Sequence, residues 1–407
     1  MRVLYTVLLR LALPFLLVRL WWRGRAEPGY RDAVTERFGI YGIDRAERLL
    51  WIHAVSVGEA RAAEPLVRAL GGSLPEHRIL MTCTTAAGRE TIKQLYGESV
   101  LSAYLPYDFP EAVQGFLEYF RPRLGVLMET ELWPNLLAQC ARHRTPVMLA
   151  NARLSEKSAR GYRRWRALVQ PAFASLAAVC AQSAADAERL RTAGASAVEV
   201  TGNLKFDVEP DAAQLAAGRA WRSALGRPVI LLASTREGEE HLLLEHAPPD
   251  AAQLLLVVPR HPRRFDEVAV LAQSRRSQQS TPASADRVHL GDSMGEMAFY
   301  YGACDVAIIG GSFAPLGGQN LIEALAAGAP VIVGPHMYNF AQATELALAA
   351  GAAIQVPDAP SAMRSAMGLL TNEAQRRRMS EAGRNLCAAH RGATARHLAA
   401  CRRLLRL

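Results

Sequence analysis

From Leu49 onward, short apolar runs alternate with amphipathic stretches of helical length. An apolar run bounded by turn residues and followed by a stretch of 3.6-residue period reads as a strand and its crossover helix, so the alternation predicts βα units and parallel sheets. The predicted strands are 49–53, 79–82, 100–104, 124–128, 147–151, 177–181 and 198–201, enough for one complete doubly wound domain. Beyond Asn203 the pattern restarts, with strands at 229–233, 254–259, 288–290, 306–309, 331–333 and 353–356. Residues 202–214 form the expected linker, and 60–70 the first crossover helix. The strand signal is weakest in the polar stretch 274–286.

The first twenty residues are largely apolar but interrupted by Arg10 and Arg19, and Trp21, Trp22, Arg23 and Arg25 follow. No small-residue cleavage site follows the run, so a signal peptide is not expected. A spanning helix with its basic flank held cytoplasmic is one reading, and an interfacial anchor is the other. Arg10, near the middle of the run, is costly in a span and favours the interface. A helix buried in the first domain is the third reading.

A chain of 407 residues is too long for one core, and two domains are expected. The formal net charge of +9 points to an anionic partner: nucleic acid, a phospholipid surface or a phosphorylated substrate. The six cysteines show no CxxC and no Cys/His ligand spacing, so no zinc site, disulfide framework or metal cofactor is expected, and a reducing compartment fits. GxGxxG after a first strand and GxxxxGK[ST] are both absent, which disfavours dehydrogenases and P-loop enzymes. In such sheets ligands sit beyond the carboxyl ends of the strands, and in two facing domains those ends can line a shared cleft.

Polar residues just after each strand are therefore the candidates. His53-Ala-Val-Ser56-Val-Gly58-Glu59 places a carboxylate at a helix start, although Ser56 and Glu59 are also spaced as a capping box. Met128-Glu129-Thr130-Glu131-Leu132-Trp133-Pro134-Asn135 sets two carboxylates beside a tryptophan; Asn151-Ala-Arg153-Leu-Ser155 ends the next strand, and Lys205 follows in the linker. In the second half, Ser234-Thr235-Arg236-Glu237 opens a helix, again with capping spacing. Pro259-Arg260-His261-Pro262-Arg263-Arg264 concentrates positive charge suited to phosphate. Gly310-Gly311-Ser312 and Gly317-Gly318-Gln319-Asn320-Leu321-Ile322-Glu323 form a glycine-rich approach to a helix, suited to a nucleotide's phosphate and ribose.

The ordered series HAVSVGE, LPYD, METELWPN, NARLS, GNLKFD, ASTREGEE, PRHPRRF, GDSMGE, GGQNLIEA and GPHMYNF resembles the 3-deoxy-D-manno-octulosonic acid (Kdo) transferases over nearly the whole chain. That resemblance implies an α/β fold of GT-B type: two facing Rossmann-like domains with an N-terminal membrane-anchor helix. The boundaries expected are 1–25 for the anchor, 26–203 for the acceptor-binding domain and 204–407 for the CMP-sugar-binding domain. It implies an inverting transfer of Kdo from CMP-Kdo to a phosphorylated glycolipid, the lipid A precursor (lipid IVA), at the cytoplasmic face of the inner membrane, with no cofactor and no nucleic acid. By it, Glu59 corresponds to the general base, and Glu129 and Lys205 to groups supporting the transition state. Pro259, Arg260, Met294, Gly295, Glu296, Asn320, Leu321, Ile322 and Glu323 correspond to CMP contacts. Ser293, Gln319 and Leu321 are the small departures. The alternatives are a GT-B transferase or epimerase for a uridine nucleotide sugar and a non-catalytic two-lobed ligand-binding protein.

Overall fold

The computed structural model describes residues 1–43, 46–207 and 209–407. The strands of the first unit are β1 (Leu49–His53), β2 (Arg78–Cys83), β3 (Val100–Tyr104), β4 (Leu124–Met128), β5 (Val147–Ala152), β6 (Ala178–Ala181) and β7 (Val198–Val200). Those of the second are β8 (Val229–Thr235), β9 (Leu254–Pro259), β10 (Ser274–Arg275), β11 (Val288–Leu290), β12 (Val306–Ile309), β13 (Val331–Val333) and β14 (Ala353–Gln355). All pair in parallel, in the orders β3-β2-β1-β4-β5-β6-β7 and β10-β11-β9-β8-β12-β13-β14. The central strands β4, β9 and β12 are apolar throughout, and β1 and β8 are apolar up to their carboxyl ends, because both faces of a parallel sheet are covered by helices. Leu50, Ile52 and Val126 face one core layer of the first unit, and Leu49, Trp51 and Leu127 the other.

The short strand β10 lies in the polar stretch where the sequence signal is weakest. With only Ser274 and Arg275 at the sheet edge, it has no apolar run to betray it. The crossover helix expected at 60–70 is two helices, Val57–Ala62 and Glu64–Ser73, broken at Ala63 because Pro65 has no amide to continue the first. The expected linker is also shorter. Asp211 caps the helix Ala212–Leu225 by accepting from the Gln214 amide at 2.9 Å, and residue 208 of that stretch lies outside the described residues.

The compact units are Met1–Asp207 with Arg391–Leu407, and Val208–His390. The last residues, grouped with the second domain from sequence, therefore complete the first. Helix Ala393–Leu405 buries Ala400, Cys401 and Leu405 in the first core. Asp207 accepts from the amides of Gly392 (2.7 Å) and Thr394, satisfying donors at the helix start. His397 accepts the buried Asn151 amide through Nε2 at 2.9 Å, while its Nδ1 lies 2.7 Å from the Ala393 carbonyl, which fixes the neutral tautomer.

The single anchor helix expected at 1–25 is instead a pair, Arg2–Leu11 and Leu13–Ala26, bent by 51°. Pro14, early in the second helix, lacks the amide that would join it to the first. Among the described residues no single helix is long and apolar enough to cross a membrane, whereas the bent pair meets that test by length and composition. One side docks on the first unit: Asn135 Nδ2 donates to Thr6 Oγ1 at 2.9 Å, and Arg10 forks onto Glu111 at 3.0 Å. The other side leaves Val3, Leu4, Val7, Leu8, Leu11, Phe15, Val18 and Trp22 exposed.

Candidate functional site

In the first sheet the connections leave β1 and β4 towards opposite edges, so a crevice opens at the carboxyl ends of these two neighbours. Both carboxylate motifs stand there. Glu59 lies in the first turn of Val57–Ala62, where Ser56 Oγ accepts the Glu59 amide at 3.5 Å and Glu59 Oε2 accepts the Val55 amide at 2.8 Å. The capping pattern is thus formed, but its return bond goes to Val55 rather than to the cap residue. The carboxyl is pushed up to about 8, chiefly by burial and further by the nearby charges of Glu129 and Glu131, against the lowering effect of the Val55 amide. Capping does not use up this side chain: one oxygen is tethered to the Val55 amide, and the raised carboxyl can take up a proton near neutral pH.

Glu129 is held with φ +57, a left-handed conformation unusual for glutamate. Its Oε1 lies 3.6 Å from Lys205 Nζ, so the two residues expected to act together do meet. Lys205 belongs to the first unit, on the 3₁₀ turn Leu204–Phe206, positioned by Asn151 Oδ1 accepting the Leu204 amide at 3.0 Å. Glu131 accepts from Trp133 Nε1 at 2.9 Å, and burial raises its pKa. His53, fully buried at the end of β1 and 6.1 Å from the Trp133 ring, is kept neutral by burial, its pKa falling to about 3. Its Nδ1 meets Thr82 Oγ1 at 2.9 Å. It shapes the crevice floor rather than titrating.

In the second sheet the corresponding crevice lies between β8 and β12. The two strand ends come so close that a Cβ on Gly310 would stand 2.6 Å from the Ser234 carbonyl oxygen, which requires glycine there. Pro259 closes β9 and Arg260 follows it; Met294, Gly295 and Glu296 follow β11; Asn320 to Glu323 lead into the helix Ile322–Ala327 after β12. The parallel strands bring all three groups to one edge. Burial first, and then the Glu323 charge, raise the buried Tyr301 hydroxyl, while Arg260 opposes.

Several of these residues are already engaged. Arg276 forks onto Glu296 at 2.8 Å and Ser293 donates to it; the Arg276 hydrogen bonds hold its pKa below the usual carboxylate range. Asn320 Oδ1 accepts the Ile322 amide at 3.0 Å, and its Nδ2 donates to Glu323 at 2.8 Å, a capping arrangement. Leu321 and Ile322 are fully buried, backbone included, and so stand behind the surface that Asn320 and Glu323 present. Of the arginine-rich run, Arg264 points inward to Glu240 at 2.7 Å, which removes it from the residues expected to meet a phosphate.

The Gly310–Gly311 turn holds a residue missed from sequence. Buried Glu239 accepts the amides of Gly311 (2.6 Å), Phe313 (3.1 Å) and Arg236 (2.9 Å), occupying donors that an anion could have used. Glu237, expected as the capping partner of Ser234, is exposed and pairs with Arg236 instead. The consecutive acids Glu239-Glu240 were the available signal, since two carboxylates at a buried helix start need donors.

A family model described as "3-Deoxy-D-manno-octulosonic-acid transferase (kdotransferase)" matches residues 32–208, and one described as "Glycosyl transferases group 1" matches residues 277–386. The chain is 48% identical to the 3-deoxy-D-manno-octulosonic acid transferase of Bordetella pertussis over 98% of each chain. It is 36% identical to the enzyme of that name from Haemophilus influenzae, over 98% of this chain and 97% of the relative. The UDP-GlcNAc 2-epimerase of Neisseria meningitidis, solved bound to UDP-GlcNAc, shares the fold with a TM-score of 0.58 at 16% identity, over 86% of this chain and 98% of that one. The α/β architecture of GT-B type expected from the sequence is the one observed.

Proposed function

The chain belongs to the 3-deoxy-D-manno-octulosonic acid (Kdo) transferase family, and on that premise we propose that Glu59 is the base of an inverting transfer from CMP-Kdo to a phosphorylated lipid A precursor. It is a glycosyltransferase of lipopolysaccharide synthesis. The observation that carries the proposed chemistry is the desolvated Glu59 carboxyl, raised to about 8 at the crevice beside Glu129 and Glu131.

In the transfer, Glu59 takes the proton of the acceptor hydroxyl as that oxygen bonds to the anomeric carbon of Kdo. The bond from that carbon to the CMP phosphate oxygen breaks, and the electron pair leaves with CMP. Lys205, 3.6 Å from Glu129, offers positive charge to the donor sugar's carboxylate, with Glu129 holding the ammonium in place. In the second unit Arg260 answers the CMP phosphate. Pro259, Met294, Gly295 and Asn320 surround the nucleotide, with Leu321 and Ile322 packed behind them and Glu296 and Glu323 orienting Arg276 and Asn320.

The exposed apolar side of the helix pair 2–26 supports interfacial attachment at the cytoplasmic face of the inner membrane. Arg10, the obstacle to a span, spends its charge on Glu111. The reading is tested by incubating the protein with CMP-Kdo and the tetraacylated precursor lipid IVA and weighing the product by mass spectrometry. Kdo increments are expected, together with saturable binding of CMP but not UMP. UMP binding with no Kdo adduct refutes it.

A further inference from the structure

No residue of the helix Glu156–Arg164, which follows β5, is buried. Ser155 caps it by accepting the Ser158 amide at 3.2 Å. It touches the unit through partly buried Ala159 and Tyr162, the Tyr162 ring lying edge-on to Phe173 at 5.8 Å. At about 100° per residue, Lys157, Arg160, Arg163 and Arg164 gather on an arc of roughly 120° turned away from that contact. All four are exposed, and among the described residues none of their side chains takes part in an ion pair or hydrogen bond. Lys157–Arg160, Arg160–Arg163 and Arg160–Arg164 stand at spacings where like charges repel along a helix; Glu156, four residues before Arg160 on the same arc, offsets one of the four charges, and the face remains strongly positive. Exposed Trp165 and Arg166 continue the patch.

Its place in the fold says which anion. The helix leaves the carboxyl end of β5, next to β4 in the sheet, so it stands on the rim that carries Glu59 and Glu129. Glu131 contributes, after burial, to raising the Tyr162 hydroxyl, which keeps the helix within electrostatic reach of that station. The apolar helix pair docks on the same rim, through Asn135 in the helix after β4. A molecule presenting phosphate to the arginines, a hydroxyl to Glu59 and acyl chains to the apolar pair matches the three features in one unit.

We propose that Lys157, Arg160, Arg163 and Arg164 form the phosphate grip for the glycolipid acceptor, with Trp165 at the boundary between headgroup and acyl chains. Guanidinium groups suit a phosphomonoester because each donates two parallel hydrogen bonds to its oxygens. The proposal rests on the acceptor assigned above.

The test is the full chain carrying Arg160→Ala, Arg163→Ala and Arg164→Ala together, assayed in nonionic micelles with lipid IVA and with the same glycolipid stripped of its phosphates. The KM for lipid IVA should rise at least tenfold, with kcat and the KM for CMP-Kdo unchanged. Wild type should prefer the phosphorylated acceptor, and the variant should not. An unchanged KM, or an equal loss on both acceptors, overturns the proposal. So does a rise seen only on vesicles containing phosphatidylglycerol and matched by lost vesicle sedimentation, which assigns the patch to bilayer headgroups. If wild type transfers to neither glycolipid, the acceptor assignment fails instead. Calorimetric titration with lipid IVA micelles then still reads the grip, which requires weaker binding by the variant and is refuted by equal binding.

Discussion

Replacing Glu59 by glutamine should make the protein more stable in alkaline solution while removing its activity. The folded carboxyl titrates near 8 against an ordinary value of 4.5. Between those values the folded protein holds a proton that the unfolded chain has released, so stability falls as pH rises through the window. At about 1.4 kcal/mol per pH unit the full displacement corresponds to roughly 5 kcal/mol, and partial solvent access reduces this to about 2–3 kcal/mol. Glutamine cannot ionise, yet its carbonyl can still accept the Val55 amide. The variant should therefore melt near wild type at pH 5 and higher by about 5–10 °C at pH 8.5, for a unit of this size. Calorimetric melts at the two pH values, paired with CMP release from CMP-Kdo, measure both effects. Transfer should drop by about 10²–10⁴-fold, the usual contribution of a positioned base. Equal melting differences at both pH values, or retained turnover, would reduce Glu59 to a helix cap.

Glu131→Gln removes a charge that raises Glu59, so the acidic limb of kcat/KM against pH should move down by about half to one pH unit. At pH 6.5 the rate relative to its plateau should rise about 3–10-fold, and a limb that stays in place contradicts the electrostatic account. His397→Ala leaves the buried Asn151 amide without its acceptor and should cost about 1–3 kcal/mol, seen as a lower melting temperature with faster hydrogen exchange in 393–405. Unchanged protection there would mean that the helix is held by packing alone.

Strands such as 124–128, 306–309 and 331–333 were readable to the residue, because a strand covered on both faces is a continuous apolar run between polar turns. β10 was not, since an edge strand of Ser274 and Arg275 owes its place to a neighbour rather than to its own side chains. In the site, the meeting of Glu129 and Lys205 could be placed only by family resemblance, as the two are far apart in sequence and joined because the turn after β7 reaches back to Asn151 on β5, the neighbour of β4. Capping and binding have the same spacing, and the structure shows which caps form: Glu59 and Asn320 both make capping bonds, and Glu237 yields its expected place to Glu239. Arg264 looked like its neighbours because inward and outward arginines differ in what they face, which a local pattern does not record.

The return of residues 391–407 to the first unit sets an order on synthesis. A ribosome making about 5–20 residues per second needs roughly 10–40 s to cover 208–390 before the closing helix emerges. Through that interval the nascent first unit lacks the helix that covers one side of its core around Ala400 and Cys401 and the ring that accepts the Asn151 amide. The half of the molecule that carries the proposed base thus cannot assume its finished form until the other half has been made.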